Sequence, residues 1–131
     1  LGLLVSKPIH SLEIAEQAGH EILGKVRRLR AVFATGINAS LPAGESRIAD
    51  ILITREASIP FIYKSKTQGV SGSGDVLSAM FLAGYLRGGN LVKACQGASN
   101  IVNQMIRKTA TPLGLDVAEL LWRLMPNDKV E

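Results

Sequence analysis

Cysteine, histidine, aromatic residues and long apolar runs are all scarce in this 131-residue chain, and each scarcity removes a class of function. A single cysteine, Cys95, leaves no internal disulfide and no cysteine-rich metal site, which makes the cytoplasm the default compartment. The two histidines, His10 and His20, share no face with a carboxylate pair. Both precede Ser71, so a serine nucleophile served by a downstream histidine is excluded. Aromatics make up 5% of the chain, and the net charge of +4 is scattered apart from Lys25, Arg27, Arg28 and Arg30. Those residues close a predicted helix, whose carbonyl end favours cations, so no nucleic-acid surface is expected. No apolar run reaches the roughly 18 residues of a membrane span, and none is expected to cross a bilayer. The opening Leu1-Gly2-Leu3-Leu4-Val5 is too short for a signal-peptide core, and the missing initiating Met fits a fragment or a processed chain.

What is present is an ordinary globular composition, 47% apolar and 20% charged, with room for one domain. The most informative stretch is Gln68-Gly69-Val70-Ser71-Gly72-Ser73-Gly74-Asp75, which runs directly into Val76, Leu77, Ala79, Met80, Phe81, Leu82 and Ala83. A side-chain-poor loop feeding a helix leaves first-turn N–H groups unpaired at the positive end of the macrodipole, which suits an anion. Three better-known motifs fail here. A dinucleotide G-x-G-x-x-G would need glycine at Leu77, a P-loop would need Lys and a hydroxyl at Asp75-Val76, and a nucleophile elbow would need glycine at Ser73. The same residues also describe any loop-to-helix junction, with Ser73 or Asp75 as a simple cap. In an anion cradle, a carboxylate at position 75 repels phosphate, so Asp75 handles a proton rather than a charge.

Around this stretch the periodicity predicts a helix from Ser11 to about Val26, with Leu12, Ala15, Ala18, Ile22, Leu23 and Val26 on one face. Leu29 to Ala34 reads as a buried strand ending in the small polar residues Thr35-Gly36-Ile37-Asn38. The segment from Ala39 to Arg47 reads as a turn or loop. Strands are expected over 48–53 and 59–63, close enough to be antiparallel. Helices follow from Asp75 to about Leu86, apolar nearly all round and so expected to be buried on most sides, and from Leu91 to about Lys108 behind the cap Asn90. Cys95 falls on the apolar face of the latter. Asp116-x-x-Glu119 resembles a capping box for a last short helix, with a frayed tail from Pro126. The order predicts an α/β fold with an antiparallel edge.

With these residues in place, the chain resembles the C-terminal half of the ribokinase-like superfamily, and within it the pyridoxal (vitamin B6) kinases most closely. The likeness runs from about Leu1 to Leu124 and is carried by Gly72-Ser73-Gly74-Asp75, by Leu77-Ser78-Ala79, by Leu86-Arg87-Gly88-Gly89-Asn90-Leu91 and by Val32-Phe33-Ala34-Thr35. It implies the C-terminal part of a three-layer α/β/α sandwich with a mixed sheet. Residues 1–125 would be the ATP-binding, catalytic half of a kinase domain and 126–131 a tail. Asp75 would accept the proton of the acceptor's primary hydroxyl, and so touch substrate, as that hydroxyl attacks the γ-phosphorus of ATP. The N–H groups of Gly72, Ser73 and Gly74 would form the anion hole. Thr35 would touch ATP phosphates, and Phe61 and Ile62 would line the nucleotide pocket.

The cofactors implied are ATP and Mg²⁺, with a monovalent cation left open, and no protein-held metal site is assigned. The implied partners are a B6 vitamer and ATP, and the full-length protein is expected to be a homodimer. Related hydroxymethylpyrimidine kinases often carry Cys where this chain has Asp75, which favours the B6 reading. A pyrimidine or sugar kinase of the same superfamily and a non-catalytic remnant stay open as alternatives. The family's N-terminal half, which supplies the acceptor pocket, has no counterpart here, so the 131-residue chain is expected to be inactive alone and to expose apolar surface.

Overall fold

The computed structural model describes residues 5–6, 8–39, 47–64 and 70–108. The residues ahead of Val5, most of the loop after Ala39, Gln68-Gly69, the expected helix from Asp116 and the tail from Pro126 lie outside the described residues. Six elements form three layers: α1 (Leu12–Lys25), β1 (Val32–Asn38), β2 (Arg47–Ile53), β3 (Ser58–Lys64), α2 (Ser73–Gly88) and α3 (Leu91–Lys108). The sheet has the order β1-β2-β3 and is antiparallel throughout its described strands.

Helix α1 begins where the sequence says it should. Ser11 is extended, and its Oγ accepts from the Ile14 N–H at 3.3 Å, while Lys25 closes the last turn. Its Ala15 and Leu23 pack on Ala34, Ile37, Ile51 and Ile53, which fill one face of the sheet. Strand alternation sends the intervening side chains to the other face. There Leu52 and Phe61 meet Cys95 of α3, and Phe33 reaches α2. The Phe33 ring lies edge-on to Phe61, with centroids 6.3 Å apart, and 5.9 Å from Phe81. Helix α2 ends at Gly89, whose φ of 64° lets its N–H reach Tyr85 O at 2.7 Å. Asn90 then caps α3, its side chain accepting from the Lys93 N–H at 2.9 Å.

Two expectations need correction. The first strand starts at Val32, not Leu29, because the Leu29 N–H turns back to Val26 O at 3.0 Å. It runs on to Asn38 by absorbing Thr35-Gly36 as a bulge: Ala34 pairs with Ile51 and Ile37 with Ala49, so three steps on β1 match two on β2. Helix α2, expected to be buried on most sides, has only Leu77 fully inside. It packs through one face against α3 and Phe33, leaving Leu82 and Leu86 54% and 75% exposed.

Candidate functional site

The bulge on β1 and the start of α2 face each other across a cleft. Gly72 precedes α2 in the left-handed region, at φ 81°, a conformation glycine adopts without the Cβ penalty. That sharp entry leaves the helix without a side-chain cap. The Ser73 N–H is occupied by Val70 O at 3.3 Å, and Val76 is the first residue to bond back to Gly72 O, at 3.1 Å. Among the described residues no acceptor meets the N–H groups of Gly74 and Asp75. Of the three expected donors Ser73 is engaged, while Gly72 and Gly74 have no acceptor among the described residues and Asp75 adds a further unpaired N–H.

Opposite them, Thr35 and Gly36 form the bulge, and Gly36 is also left-handed at φ 69°. Two adjoining hollows share Thr35, Gly74 and Leu77. One, of about 230 Å³, reaches past Asp50 toward Lys64 and Arg107. The other, of about 390 Å³, is walled by Phe33, Ser78, Phe81 and Asp75. Asp75 is exposed on the first turn, where a carboxylate interacts favourably with the helix dipole. The Ser78 hydroxyl donates back to Gly74 O at 2.9 Å.

Thr35, Gly74 and Asp75 are thus brought together, with Gly72 and Ser73 immediately behind. Phe61 and Ile62 are not brought to this place as a pair. They are neighbours on β3 and point to opposite faces: Phe61 is 8% exposed in the core with Leu52 and Cys95, and Ile62, 47% exposed, lies on the side of Ala49 and α1. One pocket cannot be lined by both side chains.

Below the cleft the structure holds a polar pair that sequence reasoning passed over. Asp50 sits opposite the bulge on β2, 4% exposed. Its Oδ1 accepts from the Gly36 N–H at 2.9 Å and its Oδ2 from the Ser99 hydroxyl of α3 at 2.6 Å. Burial raises the Asp50 carboxyl above the ordinary carboxylate range, with the two hydrogen bonds opposing. Tyr63 is also raised, by burial first, with the Ser99 hydrogen bond opposing and the nearby Asp50 charge adding to the rise. The signal was available: Asp50 is the lone acid inside the apolar run from Ile48 to Ile53.

The cleft suits a phosphate chain: backbone donors at one end, Lys64 and Arg107 at the other. Among the described residues no cluster of three His, Cys, Asp or Glu could hold a metal. No helix of the described residues is long and apolar enough to cross a membrane.

Comparison with known proteins agrees with the fold. No curated protein sequence is significantly similar to the chain. Among solved structures, a pyridoxal kinase from Entamoeba histolytica superposes with a TM-score of 0.75 at 14% identity, covering 93% of this chain and 43% of that one. A candidate phosphomethylpyrimidine kinase from Bacteroides thetaiotaomicron superposes with a TM-score of 0.69 at 17% identity, covering 88% and 41%. The chain therefore spans about two fifths of the length of these solved structures. The family model described as phosphomethylpyrimidine kinase matches residues 1–118, and with nine tenths of its length inside that match the chain belongs to this kinase family.

Proposed function

We propose that this chain is the phosphate-binding and catalytic portion of an ATP-dependent kinase that phosphorylates the 5'-hydroxymethyl group of a B6 vitamer. The observation that carries the reading is the meeting of free helix-end donors at Gly74 and Asp75, the Thr35 side of the bulge, and the Asp75 carboxylate in one cleft. A phosphoryl group in flight spreads its charge over three oxygens, and fixed backbone donors stabilise it without reorganising. Thr35 contacts the phosphates from the opposite wall, and Asp75 takes the hydroxyl proton of the acceptor. Bound Mg²⁺ supplies charge neutralisation on the phosphates.

The acceptor is the finer part of the proposal. Asp75 in place of a cysteine favours the vitamer, whereas the family's description names a phosphomethylpyrimidine. A test in the longest natural polypeptide containing this chain offers ATP with pyridoxal, pyridoxine, pyridoxamine, hydroxymethylpyrimidine and a sugar. Selective turnover of a vitamer is expected, with Asp75→Ala lowering kcat by roughly 10² to 10⁴. Preference for the pyrimidine or sugar would overturn the acceptor, and an unchanged rate would remove Asp75 from the chemistry. The 131-residue chain alone is expected to give no turnover, because it spans only about two fifths of the kinase structures it resembles.

A further inference from the structure

An ionised carboxylate inside a protein needs compensation, and Asp50 has little. Among the described residues the fully buried polar side chains are Asp50 and Ser99, and they are bonded to each other. The remaining partner of Asp50 is not a cation but the N–H of Gly36, within the bulge that walls the phosphate cleft. For stability alone an apolar residue would serve better in this position, on β2 opposite the buried Phe61, because two neutral hydrogen bonds offset only part of the cost of desolvating a charge.

The placement suggests what the carboxylate does. The bulge leaves Thr35 and Gly36 without partners in the β1–β2 register, and Gly36 is held left-handed. A bulge with an unanchored N–H could relax into several conformations, and the Thr35 side would move with it. Asp50 ties that N–H to β2, while its second oxygen ties the same point to α3 through Ser99. One side chain thus joins the sheet's cleft wall to the helix packed against α2, whose first turn forms the opposite wall.

We infer that Asp50 is a positioning residue for phosphate binding, fixing the Thr35–Gly36 bulge against α3 through its two hydrogen bonds rather than through its charge. The inference rests on the phosphate-site reading given above. Because charge is not what acts, an amide of the same shape should substitute: Asn accepts from Gly36 through Oδ1 and faces Ser99 with Nδ2. Its neutrality also removes a negative charge from the floor of an anion site.

The test uses the longest natural polypeptide containing this chain, with Asp50→Asn, Asp50→Leu and Ser99→Ala. The Mg²⁺ complex of a non-hydrolysable ATP analogue is titrated by calorimetry, and Gly36 amide exchange is followed by NMR. The expected result is analogue affinity within about threefold of wild type, or tighter, for Asn, and at least about tenfold weaker for Leu. Gly36 exchange should stay slow in Asn and quicken at least about tenfold in Leu. If the Leu variant does not fold, Ser99→Ala, which deletes one hydroxyl, decides by the same readouts, with an expected loss of about threefold to tenfold. A folded Leu variant (or Ser99→Ala in its place) that binds and exchanges like wild type overturns the inference, and so does an Asn variant as weak as Leu. If the wild-type polypeptide binds no analogue, the phosphate-site reading fails. Gly36 exchange then still decides whether Asp50 holds the bulge.

Discussion

Helix α1 lies so close to the sheet that one methyl group should distinguish this packing from any looser one. Gly19 is buried on the helix face that meets β2. A Cβ built there would lie 3.2 Å from both Cβ and Cγ1 of Ile53 and would collide with its Cδ1. The Cδ1 atom could swing away, but the Cβ of Ile53 is fixed to the central strand, and Ile53 is wholly buried. Relief therefore requires the helix to retreat from Ala34, Ile37 and Ile51 as well. Overpacking of this kind costs roughly 1–3 kcal/mol, against a gain of about 1 kcal/mol from replacing a mid-helix glycine with alanine. Gly97, in the interior of α3, is the natural control, since its added Cβ would meet nothing within 4 Å. Gly97→Ala should stabilise by up to about 1 kcal/mol, and Gly19→Ala should instead destabilise, by up to about 2 kcal/mol once the helix gain is subtracted from the packing cost. Urea unfolding followed by circular dichroism measures both. If Gly19→Ala proves as stable as Gly97→Ala, α1 does not sit on the sheet as described.

Two further predictions concern the interior beneath the cleft. Burial, with the Asp50 charge adding to it, pushes the Cys95 thiol from 9.0 up to about 12, so native thiolate should be scarcer by about a thousandfold than in the unfolded chain. Labelling with a disulfide reagent at pH 8 should therefore follow unfolding, and stoichiometric reaction within minutes under native conditions would contradict the burial. The Asp50 carboxyl is raised above 3.8 in the folded state, so its contribution to stability is full below about pH 3.8 and is lost as pH rises through the folded value. Asp50→Asn should accordingly gain stability relative to wild type between pH 4 and pH 7. Parallel stability curves for the two proteins over that range would refute the assignment.

Much of this architecture could be read from periodicity. The Ser11 cap and the 3-and-4 spacing of Ala15, Ala18, Ile22 and Leu23 specify α1, and the spacing from Ala94 to Val102 specifies α3, because one-sided apolar helices have a single way to bury that face. The β2–β3 hairpin was legible from its short polar connection, closed by the Thr54 N–H on Ala57 O at 2.8 Å. The β1 bulge was not. A register shift depends on what the neighbouring strand offers, and Asp50 acts on Gly36 from 14 residues away. The burial of α2 was misread for a related reason: apolar content reports what a helix could cover, and only its tertiary neighbours decide what it does cover, as Leu86 illustrates. Among the site residues, Gly72 to Asp75 were visible because glycine and a carboxylate at a helix start leave a compositional trace. Phe61 and Ile62 could not both be placed in a pocket once strand alternation was applied.

The two walls of the cleft share one backbone device, which bears on the role proposed for Asp75. Each wall presents backbone at a left-handed glycine, Gly72 before α2 and Gly36 in β1, where any residue with a Cβ would cost roughly 1–2 kcal/mol. On the α2 wall the N–H groups of Gly74 and Asp75 carry no formal charge and need give up no counter-ion to an incoming phosphoryl group, whereas on the β1 wall the Gly36 N–H is held by Asp50. The carboxylate of Asp75 stands on the same helical turn and would repel that group if it shared its position. It is tolerated because the helix end stabilises negative charge and because it faces the hollow lined by Phe33 and Phe81, beside the one that runs toward Lys64. On the proposed reading, an acid so placed would meet the hydroxyl that approaches the phosphorus, not the phosphate that departs. Its negative charge would then be useful, drawing the proton away as the new bond forms.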